Sequence, residues 1–480
     1  MKLLNKIFHL EEKQTSLKTE IIGGLVTFIA MCYILPVNAR ILGDMGMNPT
    51  GVFVATAFIS FLVTMIMGLV ANYPIVLSAG MGINAYVAYT LSASFDSWQQ
   101  RMILLTICGV LFFAFSLTPI RRIIIEAIPK SIKCVISASL GAFILFVGLK
   151  SSGIIVASDT TLVTLGDFSD PGMLIAIISI FITICLLFSK NNMIKTMAIP
   201  LGILFAAIAG LISSSILYYA SGKDITAIPA NLPIAPWISG EKFAQLTPYK
   251  DVFLYGLFSN SGYDTKAFGK DLVKVFTNPI SYIAIFSMMF VNLFDKTATL
   301  IAVGEKTGLI DEDGKMQNYH KAILADATGT LICAPMGTSA VTSFAESNVG
   351  VSIGAKTGLS ACVAALMFLL SAFIYPIFSI FTAGSVTAPA LVCVGITIIA
   401  GVFGEIDFKD LAVTFSMIIG ILFSVLCYSI SNGIGFALIT YSVIMTVQGK
   451  RKEVGLPIYI IAALFIVAFA AETLVKVLQK

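Results

Sequence analysis

Hydrophobic positions in this chain come in long runs separated by short polar segments. Apolar runs cover 19–42, 50–72, 75–91, 102–118, 132–150, 171–188 and 194–216. After a polar stretch at 217–277 they resume at 278–303, 319–335, 338–354, 357–378, 386–403, 412–430, 433–448 and 457–475. Crossing a hydrocarbon core of about 30 Å takes roughly 20 helical residues. The runs therefore predict seven membrane-spanning helices, a linker, and seven or eight more. Ser431-Asn432-Gly433 reads equally as a tight turn between two spans or as a break within one.

Two runs break the pattern at matching places. The third, 74–90, places Gly80 and Gly82 just before Asn84; the tenth, 335–350, starts with Pro335 and Gly337, runs through Ser and Thr, and reaches Glu346. Each reads as a short extended segment followed by a half-helix. Interrupted segments in corresponding positions of two halves mark an inverted-repeat transporter. Non-helical backbone at membrane depth persists only where protein or a wet cavity satisfies it. The plainer alternative is two re-entrant helices that touch no ligand.

Composition agrees with the runs. The chain is 58% hydrophobic and only 12% charged, with a mean hydropathy of +0.95; a soluble domain carries roughly twice that charge. This excludes a soluble fold. The net charge of +4 lies mostly between the runs, so it bears on orientation rather than on nucleic acid. Lys2, Lys6, Lys13 and Lys18 precede the first span; Arg121, Arg122, Lys130 and Lys133 follow the fourth; Lys190 and Lys195 follow the sixth. The loop after the fifth instead carries Asp159, Asp167 and Asp170 and no base. That parity predicts a multi-pass protein of the cell membrane with a cytoplasmic N-terminal segment, 1–18. This segment is amphipathic, contains acids and lacks a small-residue cleavage site, unlike a signal peptide. The eight cysteines lack ligand spacing and the two histidines, His9 and His320, lie far apart. No metal and no cofactor is expected.

An ionisable group at membrane depth costs roughly 2.5–3.5 kcal/mol on insertion scales, so it needs a reason. Glu346 falls near a predicted helix N-terminus, where the dipole favours a carboxylate and unpaired N–H groups can hold a polar ligand. Desolvation favours the neutral form of a carboxyl group, which suits a proton carrier. The alternative is a Glu that only caps its half-helix. In the eighth span, Asn292, Asp295 and Thr299 share a helical face and Lys296 flanks it. These residues line a substrate path or form a structural ion pair. Asp326 in the ninth run stays open between the two roles. Arg40 and Glu405, near span ends, read as structural.

The motifs resemble the nucleobase:cation symporters, in the azaguanine-type hypoxanthine/guanine/adenine permease branch. The resemblance rests on TEIIGGLVTFIAMCYILPVNARIL, SAGMGINAYVAYT, FVNLFDKTATLIAVGEKTGL, ADATGTL, GTSAVTSFAESNVGVSIGAKTGL and SISNGIGFALITYSV. It covers most of the chain and is weakest across 217–277. It implies a uracil-permease-like, all-α polytopic fold of about 14 transmembrane segments in a 7+7 inverted repeat, 19–216 and 278–480 around the linker. A core domain of spans 1–4 and 8–11 would move against a gate domain of spans 5–7 and 12–14, in an elevator-type motion. The implied activity is import of a purine nucleobase, by symport with a proton or Na+ as coupling ion. Asn84 would bond the base and Glu346 would accept its N–H donors. Asn292, Gly82, Thr338 and Ser339 complete the expected substrate site, and Asp295 joins Glu346 in proton coupling. An amide beside a carboxylate suits a purine edge, which offers donors and acceptors side by side. Partners expected are the purine, the coupling ion and the lipid bilayer, with a homodimer left open and no nucleic acid.

The chain departs from the branch at the eighth span. The usual pattern resembles VDLFDTT, whereas Asn292-Leu293-Phe294-Asp295-Lys296-Thr297 stands here. An acid has become an amide, and Lys296 adds a fixed positive charge where a cation would otherwise sit, as a modulator of coupling. Three other readings stay on the table: a same-fold carrier of another small solute or anion, a weakly coupled facilitator, and a channel. The sparse, localised polar residues oppose the channel. An enzyme would need a nucleophile–base pair or a metal cluster, and neither is present in the sequence.

Overall fold

A computed structural model of the chain describes every residue except 1–4, 6, 119–128, 159, 192–193, 196, 236–237, 239–246, 258–262, 290–291, 293–317, 345, 405 and 479–480. The apolar runs fold as helices, and capping side chains set the starts of several of them. Ser16 accepts from the Thr19 N–H at the head of Leu17–Met31, Asn48 caps Pro49–Ile66, and Ser97 caps Trp98–Ser116. Asp170 and Asp410 do the same for Pro171–Leu187 and Leu411–Leu426. Each satisfies an N–H that the first helical turn leaves unpaired.

Among the described residues, six helices are long and apolar enough to cross a membrane: Leu17–Gly43, Pro49–Ala71, Trp98–Ser116, Ser131–Ser151, Ala198–Ala220 and Gly384–Phe403. Shorter apolar helices include Pro171–Leu187, Gly358–Ile374, Leu411–Leu426, Asn432–Val447 and Leu456–Val467. Their outer surfaces present apolar side chains such as Phe181, Ile216, Leu422 and Val467 to the surroundings, as lipid requires. The chain is a multi-pass, all-α membrane protein with the two broken spans that the sequence predicts.

The first span is itself interrupted. Leu17–Met31 ends at Cys32, and Ile34–Gly43 resumes after Tyr33. Pro36 has no N–H to return to Cys32, so the ladder cannot run through this point. The first span otherwise packs on Gly358–Ser371 and Ser347–Ser352, and Trp98–Ser116 packs on Tyr319–Ile332. A second group joins Lys130–Ser151 to Gly384–Phe403 and Leu411–Leu426, and Pro171–Leu187 to Ala198–Ala220 and Gly384–Phe403. Here the fifth and twelfth spans cross at two facing glycines. A Cβ on Gly141 would lie 2.8 Å from the Gly395 carbonyl oxygen, and one on Gly395 would lie 2.6 Å from that of Gly141. Small residues at such crossings let helix backbones meet.

Contacts at the span ends follow the alternation expected of successive crossings. On one face Glu20 accepts from the Lys356 and Ser360 N–H groups, and Asn72 accepts from the Gly358 N–H. On the other, Tyr89 donates to Asp44, Gln100 donates to Asp271, and Lys150 lies 4.2 Å from the centre of the Tyr428 ring. The connection falls just before 431–433, at 427–429, and Ser431-Asn432-Gly433 lie in the first turn of the next helix instead of forming the turn. Leu411–Leu426 ends at Cys427, Tyr428 takes φ 50°, and Ser429 caps the new helix Ile430–Val447 through the Asn432 N–H.

The described parts of the polar stretch after the seventh span are folded onto the bundle rather than detached from it. The Leu254 N–H donates to the Pro335 carbonyl at 2.7 Å. An amphipathic helix, Thr265–Thr277, then meets Pro279–Met289 at 83°. On the same face, β2 (Ile155–Ser158) and β3 (Leu162–Leu165) form a hairpin in the loop after the fifth span.

Candidate functional site

The broken third and tenth spans meet through their extended segments. β1 (Leu77–Ala79) pairs antiparallel with β4 (Val341–Ser343), Ser78 opposite Thr342, and all six residues are buried. Two further bonds prolong the pairing: the Gly80 N–H donates to the Ala340 carbonyl at 2.8 Å, and Phe344 to Val76 at 3.1 Å. A two-stranded ribbon at membrane depth still has unpaired outer edges, which lipid could not satisfy. Side-chain hydroxyls from the neighbouring spans serve them. Thr64 in the second span accepts from the Leu77 N–H and donates to the Leu77 carbonyl, both at 2.9 Å. Thr330 in the ninth span donates to the Val341 carbonyl at 3.4 Å. The second and ninth spans thus treat the two strands alike, as an inverted repeat predicts.

Each strand leads into a half-helix. β1 is followed by Met81–Ala85, which carries Asn84; β4 is followed by Ser347–Ser352, with Glu346 at its N-cap position. The Glu346 side chain makes no capping bond. Its Oε1 accepts instead from the Tyr33 hydroxyl at 2.6 Å, across to the break in the first span. Glu346 is only partly buried, whereas Asn84 is wholly buried.

Asn84 sits in a closed polar network. Its Nδ2 donates to Asn38 Oδ1 at 2.5 Å, and its Oδ1 accepts from the Ser339 hydroxyl. Asn38 Nδ2 donates to Thr56 at 2.7 Å and to Thr338 at 2.9 Å, and those two hydroxyls lie 2.8 Å apart. Every member is buried. Buried amides and hydroxyls are stable only when paired in this way. An amide has two N–H donors and two lone pairs, so these two bonds use one of each on Asn84.

Of the other residues singled out in the sequence, Thr338 and Ser339 belong to this network. Gly82 faces the fifth span: a Cβ there would lie 2.6 Å from Leu140 Cδ1. Asn292 is fully buried, and neither atom of its amide has a hydrogen-bond partner among the described residues. Asp326 is fully buried on Tyr319–Ile332. Arg40 donates to the Thr382 carbonyl at 3.2 Å, near the ends of two helices. Asp295, Lys296, Thr299 and Glu405 lie outside the described residues. Among the described residues no group of three or more His, Cys, Asp or Glu could hold a metal ion.

Tyr33, Asn38 and Thr56 join the site from outside the residues singled out in the sequence. Asn38 carried a usable signal, since an amide inside the apolar run CYILPVNARIL is costly at membrane depth unless paired. Tyr33 carried none, because a Tyr in such a run reads as packing.

Helices crossing in both directions, with two broken spans joined by a buried ribbon and polar groups gathered beside it, define a membrane transporter. The chain belongs to the Permease family, whose Xan_ur_permease model matches residues 18–432. It is 34% identical over 470 residues to the guanine/hypoxanthine permease PbuO of Bacillus subtilis (strain 168), covering 96% of this chain and 99% of that one. The adenine permease AdeQ of Escherichia coli (strain K12) is 33% identical over 463 residues, covering 96% and 95%. Among solved structures, the transmembrane domain of the cyanobacterial bicarbonate transporter BicA matches with a TM-score of 0.57 at 14% identity, covering 88% of this chain and 97% of that one. SLC26A9 matches with a TM-score of 0.59 at 10% identity, covering 93% and 69%. At those identities the likeness shows the fold alone. The family and these relatives are transporters, not enzymes.

Proposed function

We propose that the chain imports purine nucleobases, held between Asn84 on the third span and Glu346 on the tenth. The observation that carries this reading is the β1–β4 pairing, which places both half-helices at one buried ribbon. Sequence likeness over nearly the whole chain to permeases named for guanine, hypoxanthine and adenine supports the substrate class. A purine edge would take the remaining N–H and lone pair of Asn84 while Glu346 accepts ring or exocyclic N–H donors. Asn292, whose buried amide has no partner among the described residues, supplies a further donor and acceptor; Gly82 leaves the room that any side chain would take up against Leu140. Ser339 acts by holding Asn84 directly, and Thr338 by holding its partner Asn38. The experiment is uptake of labelled adenine, guanine and hypoxanthine into cells that lack their own purine carriers, with unlabelled purines, xanthine and uracil as competitors. Saturable uptake that purines suppress supports the reading, and indifference to every nucleobase rejects it.

Transport follows from motion of one helix group past the other. Spans 1–4 with 8–11 act as the moving core and spans 5–7 with 12–14 as the gate, the split that the packing supports. Glu346 and Asp295 carry the coupled proton, and the N-terminal segment lies in the cytoplasm of a cell with the protein in its cell membrane. Lys296 supplies a fixed charge in place of a coupling cation, which weakens coupling. Uptake that a protonophore collapses fully would reject the uncoupled form, as would a Lys296→Gln variant with unchanged proton dependence.

A further inference from the structure

The corner where the linker enters the eighth span presents a surface that the transport site does not use. Thr265–Thr277 is capped by Asp264 through the Ala267 N–H and buries Val275 against the bundle. Its one acid turns inward: Asp271 accepts from Gln100 Nε2 at 2.8 Å and from the Tyr263 hydroxyl at 3.0 Å. Lys266, Lys270 and Lys274, spaced i, i+4, i+8, are left as an exposed basic row. Beside them Val273 and Phe276 are 61% and 51% exposed. A helix with a lysine face and exposed apolar side chains suits the plane of a bilayer interface.

Between this corner and the fourth span runs a groove of about 420 Å³, walled by Ile107, Leu111, Tyr282, Ile285 and Met289 among others. Ser281 also lines it. That residue is 1% exposed, and its hydroxyl has no hydrogen-bond partner among the described residues. An unpaired hydroxyl in an apolar wall is costly unless a ligand accepts from it.

We propose that this groove seats an acyl chain of an anionic phospholipid, its headgroup phosphate against the Lys266–Lys270–Lys274 row and an ester or phosphate oxygen accepting from Ser281. The charge of the rim selects the occupant. A zwitterionic lipid would fill the groove equally well but leave the lysine row without net countercharge. A second copy of the chain, docked through the same patch about a two-fold axis, would set the two lysine rows against each other.

The test is native mass spectrometry of the full chain in mild detergent, with phosphatidylglycerol and phosphatidylcholine added at equal concentration. Each interfacial lysine contributes about a factor of five in affinity for anionic lipid. The wild type is expected to retain phosphatidylglycerol at least roughly 10-fold over phosphatidylcholine. The triple variant K266Q/K270Q/K274Q should lose that preference, and K266R/K270R/K274R should keep it. Ile285→Trp, which fills the groove, should lower retention of both lipids. Melting temperatures measured in phosphatidylcholine show that each variant is folded. Equal retention of the two lipids by wild type, or a preference that survives the Lys→Gln variant, overturns the proposal. So does a dimer that disappears with Ile285→Trp, which would make the groove a contact between copies.

Discussion

The Tyr33 hydroxyl donates to Glu346 Oε1 at 2.6 Å, joining the break in the first span to the N-cap of the tenth-span half-helix. The carboxyl group is thereby aimed away from its own helix, where a capping role would have consumed it. Tyr33→Phe removes the donor and keeps the ring. Loss of one hydrogen bond to an acid costs about 1–2 kcal/mol, so the KM for purine uptake should rise roughly 5- to 30-fold. Uptake kinetics at matched protein levels check this. An unchanged KM would mean that the bond does not position Glu346 for substrate.

Asn38 is the hub of the buried network, bonded to Asn84, Ser339, Thr56 and Thr338. Asn38→Ala strands several buried groups at once and should cost about 2–4 kcal/mol, since each orphaned group costs about 1–3. Thr56→Val removes one member and should cost less. Thermal unfolding of the purified variants in detergent ranks the two, and the opposite order would show that the network is not centred on Asn38.

Gly82 meets the fifth span where a Cβ would reach Leu140. Gly82→Val should cut uptake at least about 5-fold by wedging the half-helix away from that span, a clash costing about 1–3 kcal/mol. Leu140→Ala, which opens the same space, should restore part of it in the double variant. Failure of rescue, with both proteins folded, would place the constraint elsewhere.

Glu20 is fully buried at the head of the first span and accepts from the Thr15 hydroxyl and the Lys356 and Ser360 N–H groups. It thus ties the N-terminal segment to the start of the eleventh span. Glu20→Ala leaves two N–H groups unpaired at that helix head. A loss of about 1–3 kcal/mol in unfolding free energy is expected, visible as a lower melting temperature. A variant as stable as wild type would remove this contact from the account.

Much of this arrangement could be read from residue order. Gly80, Gly82, Pro335 and Gly337 mark the broken spans because they stand where an uninterrupted helix would exclude them, and Asn84 and Glu346 follow at once. What could not be read is pairing in space. Thr64 and Thr330 look like minor members of apolar runs, yet they satisfy the edges of the ribbon. Tyr33 and Glu346 are 313 positions apart, so no local pattern links them. Nothing in the sequence around Asn84 shows that half of its amide capacity is committed to Asn38 and Ser339. The stretch at 217–277 looked like a spacer because its polarity says nothing of the Leu254–Pro335 and Gln100–Asp271 contacts that hold it down.

If Asn84 and Glu346 together bind a purine, binding to purified protein shows it without reference to coupling. Isothermal titration of wild type, Asn84→Ala and Glu346→Gln with hypoxanthine, guanine, adenine and uracil separates the terms. Wild type should bind at least one purine and prefer it to uracil. Glu346→Gln should lose at least about 10-fold in affinity, since hydrogen bonds to charged groups contribute about 1.5–3 kcal/mol, and Asn84→Ala should lose a comparable amount. Purine binding of unchanged strength in both folded variants would contradict the account.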